Sequence, residues 1–124
     1  NDYMATILPE YSEANGNMVE LIICNNDGMA EGAVSALQGA GYNNGEGKTI
    51  PVFGVDATDS AKQLINEGKM TGTIKQDAEG MASTILNLVS SVNGGGNLMD
   101  NTASFNVDEG VAKIRVPYAT YTGE

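Results

Sequence analysis

Histidine and tryptophan are missing from this sequence, cysteine occurs once, and lysine and arginine number 6 together against 16 acidic residues. Each shortage removes a class of function. Without histidine, the usual base beside a Ser, Thr or Cys nucleophile is absent, and the chain reads as a protein that is not an enzyme. The single cysteine, Cys24, permits neither a disulfide framework nor a zinc site, and its place at the end of an apolar run marks an inert core thiol. A formal net charge of -10 with no basic stripe excludes nucleic acid as a partner and sets the chain against an anionic membrane surface. No apolar run approaches the roughly 20 residues of a membrane span.

What is present fits one domain's length with a modest core. The organising stretch is VELIICNNDGMAEGAVSAL, from Val19 to Leu37. Leu21, Ile22 and Ile23 form the continuous apolar run expected of a parallel strand covered on both faces by helices. The run stops at Asn25, Asn26 and Asp27 and turns into a helix whose apolar face is Met29, Ala30, Ala33, Val34, Leu37 and Ala40. This polar cluster marks the strand's carboxyl end, the edge where ligands bind in open α/β sheets. Asn26 or Asp27 can equally serve as the helix cap through a side-chain oxygen.

The pattern recurs twice. IPVFGVDA, from Ile50 to Ala57, is a second strand ending in an acid, Asp56, with Thr58 or Asp59 as the cap of a helix that buries Ala61, Leu64 and Ile65. A third strand, Thr71 to Lys75, delivers Gln76 and Asp77 before a helix from Ala78 to about Val92. Three βα units with right-handed crossovers make a parallel sheet, so Asn26, Asp56 and Gln76 can converge on one crevice. The fold class is α/β with a doubly wound parallel sheet.

The remaining segments are connections and a β tail. Tyr3, Met4, Ile7, Leu8 and Tyr11 fall at helical spacing up to Pro9, so the chain is expected to begin inside a helix. GYNNGEGKT is not a phosphate-binding loop: five residues rather than four separate Gly41 from Gly47, and a strand rather than a helix follows, leaving a flexible surface connection. The apolar face of the last helix, Met81, Ala82, Ile85, Leu86, Val89 and Val92, reads as a packing face. Ala103 to Val107, a turn at Asp108, Glu109 and Gly110, and Lys113 to Tyr118 read as a hairpin, with Pro117 forcing a change of partner or an end.

Asp27 and Asp56 form a glycosidase-like pair only if they flank a scissile bond at fixed separation, which spacing along a chain does not give. Amides and an ionised carboxylate suit another task. Each sugar hydroxyl both donates and accepts; Asn and Gln amides reciprocate, and Asp56 accepts charge-assisted bonds.

The runs CNNDGMAEGAVSAL, IPVFGVDATDSA, GKMTGTIKQDAEGMA and KIRVPY resemble, in order and spacing, the carboxyl-terminal part of periplasmic glucose/galactose-binding proteins of ABC sugar importers, with a short insertion around Tyr42 to Gly47. The resemblance implies a type I periplasmic-binding fold, in which two lobes close over a sugar, and a role for Asn26 and Asp56 in bonding its hydroxyls. At the third position those proteins carry Asn where this chain has Gln76, the residue usual in the wider sugar-binding family. Glu20 aligns with an acid that closes a calcium site whose other ligands lie in an upstream loop, so Ca2+ is implied for the complete protein. The stacking aromatics, one a Trp, are missing, which implies a fragment. The resemblance assigns 1–76 and 116–124 to the carboxyl-terminal lobe and 77–115 to the amino-terminal one, with hinge strands at Gln76 to Ala78 and Arg115 to Pro117. Its implied partners are a monosaccharide, a membrane permease, and the missing lobe or a second copy. The implied location is periplasmic, or extracellular and lipid-anchored in a Gram-positive host. The effector domain of a sugar-responsive repressor, or a sensor ectodomain, shares this architecture and is the alternative.

Overall fold

Val52, Phe53, Gly54 and Val55 lie at the centre of the larger sheet, with one apolar strand on either side. The computed structural model describes residues 2–108 and 110–124. The chain divides into two compact units: Asn1–Lys75 with Thr120–Glu124, and Gln76–Ala119.

The first unit begins with helix α1 (Asp2–Ile7) and continues through β1 (Ile22–Ile23), α2 (Asp27–Gly39), β2 (Val52–Asp56), α3 (Asp59–Asn66) and β3 (Gly72–Lys75). β1 pairs with β2, and β2 with β3, all parallel, with Phe53 opposite both Ile23 and Gly72. The strands follow one another across the sheet in chain order, so right-handed crossovers place α2 and α3 on the same face. Ala30, Ala33, Val34 and Leu37 of α2 pack there with Val52, Ala61, Ile65 and Met70, and Met4 and Leu8 extend this core.

That topology corrects the expectation of a strand sheathed on both sides. β1 has only two residues and ends the sheet, and Leu21 and Ile23 are 51% and 76% exposed. Met29, expected on the apolar face of α2, is also exposed, because the buried stripe runs through Asp27, Ala30, Ala33, Val34 and Leu37. Cys24 is half-buried, and burial pushes its thiol above the ordinary value, in keeping with an inert thiol.

The connection after α2 is anchored rather than simply flexible. Asn43, fully buried at φ 51°, donates from Nδ2 to the carbonyls of Ile50 (2.8 Å) and Lys69 (3.0 Å) and accepts at Oδ1 from Ile50 N–H (2.9 Å). Asparagine tolerates left-handed backbone and bonds locally, so one residue both turns the loop and pins it.

The second unit holds α4 (Ala78–Asn93) and a two-stranded antiparallel sheet of β4 (Val107–Asp108) and β5 (Lys113–Ile114). The hairpin is shorter than its sequence suggests: Ala103 and Ser104 lie in a turn, and Glu109 lies outside the described residues. Among the described residues of α4 only Thr84 is buried, while Ile85, Leu86, Val89 and Val92 are exposed. Beyond Pro117 the chain leaves β5 behind: β6 (Ala119–Tyr121) joins the edge of the larger sheet beside β3. Pro117, which has no N–H to give a ladder, lies in the connection between the two strands. Gly72 meets that strand closely, since an added Cβ would stand 3.1 Å from the Tyr121 carbonyl oxygen.

Candidate functional site

Because β1, β2 and β3 are parallel, their carboxyl ends share one edge of the first unit, and each leads through a polar residue into a helix. At the first of these turns Asn26 is extended (φ −153°, ψ 169°), and its Oδ1 accepts from Met29 N–H at 2.9 Å. Asn26, not Asp27, is therefore the cap of α2. Capping uses only the oxygen; the exposed amide nitrogen keeps its two donors.

The second turn departs from ordinary backbone. Asp56 ends β2 at φ 123° and Ala57 follows at φ 56°, two consecutive L-residues with positive φ. Such conformations cost on the order of 1–3 kcal/mol each and persist only where the surroundings over-determine them. Thr58 then returns to φ −61° and caps α3, accepting at Oγ1 from Ala61 N–H at 3.2 Å. Ala57 is buried beneath the turn, and Asp56 is exposed above it.

What holds the turn is a residue that sequence reasoning treated as an alternative cap. Asp27 is completely buried. Its Oδ2 accepts from Thr58 N–H at 2.8 Å and its Oδ1 from the Thr73 hydroxyl at 2.5 Å, and the same hydroxyl oxygen accepts from Ala57 N–H at 3.3 Å. One carboxylate at the start of α2 thus ties the turn after β2 to the side chain of β3. It fits only because residue 54 is glycine: an added Cβ would clash with Asp27 Oδ1, far inside van der Waals contact, and stand 3.2 Å from Ala30 Cβ. A glycine in a strand interior signals close approach, and Gly54 in VFGVD is the sequence mark of this network. Glu31 Oε1 accepts from Ser60 Oγ at 2.6 Å and from Thr58 Oγ1 at 3.2 Å, joining α2 to the start of α3.

Gln76 follows Lys75 directly at the end of β3 and is the first residue of the second unit. Asp77 after it caps α4, accepting from Gly80 N–H at 2.9 Å. Glu20 is exposed just ahead of β1, and no group of three or more His, Cys, Asp or Glu suited to a metal occurs among the described residues. A calcium ion takes six to eight oxygens, so Glu20 by itself does not constitute a site for it.

The first unit therefore offers, on one edge, an amide fixed by capping and a carboxylate on a strained turn. No helix among the described residues is long and apolar enough to cross a membrane. The D-galactose/methyl-galactoside binding periplasmic protein MglB of Haemophilus influenzae is 35% identical over 107 residues, 86% of this chain and 30% of that protein. The ribose import binding protein RbsB of Escherichia coli is 38% identical over 58 residues, 47% of this chain and 18% of that protein. The structure of a Caulobacter myo-inositol binding protein bound to myo-inositol superposes with a TM-score of 0.65 at 28% identity, covering 78% of this chain and 31% of that one. The chain thus spans under a third of the length of each of these relatives. Residues 1–96 match the model of the periplasmic binding protein domain, and with the parallel α/β sheet just described this chain belongs to that family.

Proposed function

We propose that this chain is part of the solute-binding component of an ABC importer, which holds a monosaccharide of the glucose/galactose type between two hinged lobes and does not transform it. Asn26, Asp56 and Gln76 are the hydroxyl contacts: the amides donate and accept, and the carboxylate accepts charge-assisted bonds. In this reading Gln76 sits where the chain passes between lobes, and residues 77–115 belong to the opposite lobe. The complete protein works in the periplasm, or outside the cell on a lipid anchor, and hands its ligand to a membrane permease. Glu20 serves as one ligand of a calcium site completed by residues beyond this chain.

The observation that carries the proposal is Asp56: an exposed acid on positive-φ backbone at the end of β2, two residues before the Thr58 cap of α3. The relatives are named for the sugars or cyclitol they bind, which supports a sugar as the ligand class. Calorimetry on the complete protein tests it with D-galactose, D-glucose, D-ribose and myo-inositol. Asp56→Ala should weaken the preferred sugar by about 1.5–3 kcal/mol per lost charged hydrogen bond, and Asp59→Ala, beyond the cap, should leave affinity unchanged. Equal losses for the two variants would remove Asp56 from the site.

A further inference from the structure

We propose that Asp27 and Thr73 are positioning residues for Asp56: they hold the turn after β2 in its positive-φ conformation and thereby set the direction in which the Asp56 carboxylate meets a ligand. The proposal rests on the reading of Asp56 as a hydroxyl acceptor.

Asp27 bonds outward from its helix. Its two oxygens take Thr58 N–H and the Thr73 hydroxyl, while the cap of α2 is supplied by Asn26. A buried polar group costs desolvation that an apolar residue of similar size does not, so packing of α2 alone gives no reason for an acid here. The bonds do account for it. Ala57 N–H and Thr58 N–H are the two amides directly after Asp56, and each is held by one arm of the network, at 3.3 Å and 2.8 Å. With both amides fixed, the strained dihedrals at Asp56 (φ 123°) and Ala57 (φ 56°) are prevented from relaxing to the ordinary extended region. Gly54 leaves the space into which the Asp27 carboxylate fits.

The test uses the complete protein with D-galactose and D-glucose as probes. Thr73→Val keeps the shape and removes the hydroxyl; Thr73→Ser keeps the hydroxyl. Thr73→Val should weaken sugar binding about tenfold or more, and Thr73→Ser should stay within about threefold of the parent, the range of one misaligned charged hydrogen bond. Independently of ligand, the Asp56 amide-to-Hα coupling, small at φ 123°, should rise toward the strand value in Thr73→Val and stay small in Thr73→Ser. Gly54→Ala, which displaces the Asp27 carboxylate, should reproduce the effect of Thr73→Val.

An unchanged coupling, with or without lost affinity, overturns the positioning role, as does Thr73→Val binding within about twofold of the parent. Failure of both Thr73→Val and Gly54→Ala to fold shows general structural supports and overturns it too. If the parent protein binds neither sugar, the functional reading falls, while the coupling still decides whether Asp27 and Thr73 hold the turn.

Discussion

In the proposed reading Asn26 does two jobs with one side chain: Oδ1 caps α2, and the amide nitrogen, which the cap does not use, meets the sugar. Substitutions can therefore separate stability from recognition. Asn26→Ser keeps a capping oxygen and discards the amide, so stability should hold within a few tenths of a kcal/mol while sugar affinity of the complete protein falls. Asn26→Ala should lose both, with about 0.5–2 kcal/mol of stability going with the cap. Urea unfolding read beside calorimetry checks the split; a serine variant that binds like the parent would restrict Asn26 to capping. Asp27, its neighbour, shows why residue type alone misleads. Adjacent polar residues in NND look interchangeable along the chain, yet one is exposed and the other entirely buried.

At the scale of elements, the loop between α2 and β2 shows how one side chain fixes a segment rich in glycine. Asn43→Ala would strand Ile50 N–H, the Ile50 carbonyl and the Lys69 carbonyl, and would place alanine at φ 51°. Each buried unsatisfied group costs about 1–3 kcal/mol, less whatever water recovers, so a total loss of roughly 2–5 kcal/mol is expected. Asn44→Ala, on an exposed neighbour, should change stability by less than about 0.5 kcal/mol. Denaturant midpoints of the two variants, compared with the parent, test this. The helices behave differently from one another for a similar reason of context. α2 and α4 carry comparable apolar periodicity, but α2 lies on a sheet whose strands cover its stripe, whereas the stripe of α4 is exposed.

On the scale of the whole molecule, two outcomes follow for the 124-residue chain studied by itself. Ile85, Leu86, Val89 and Val92 form an exposed apolar stripe, and Leu21 and Ile23 expose another surface on the first unit. Contiguous apolar surface on a chain in water favours association. Sedimentation should show concentration-dependent self-association, reduced by the double change Leu86→Glu with Val89→Lys; a strictly monomeric parent at high concentration would contradict this. Calcium should behave in the opposite way. With Glu20 as a lone candidate, thermal melts in calcium and in chelator should coincide, because a ligand stabilises only the native state it binds. A clear calcium-dependent rise in melting temperature would point to ligands elsewhere in the chain.

Much of this was decided locally. Three strand-to-helix turns, with Asn26, Asp56 and Gln76 at their tips, follow from apolar runs that stop at polar residues and resume with a helical period, and Thr58 and Asp77 cap through the local hydrogen bonds their side chains favour. The change of strand partner likewise takes place around Pro117, a residue that a ladder interior disfavours for want of an N–H. Tertiary structure alone decided which polar residue would be buried, which apolar residues would be left exposed, and where the backbone would be strained. Periodicity records that a residue has an apolar face but not whether another element covers it; hence Leu21 and Ile23, expected under helices on both faces, defeat the pattern. The burial of Asp27 depends on residues up to 46 positions away, Gly54 making room and Thr73 supplying the hydroxyl, and no window along the chain contains that coincidence. The positive dihedrals at Asp56 and Ala57 are followed by two amides bonded to those distant partners, so the conformation of the proposed ligand-facing carboxylate is a property of the folded sheet.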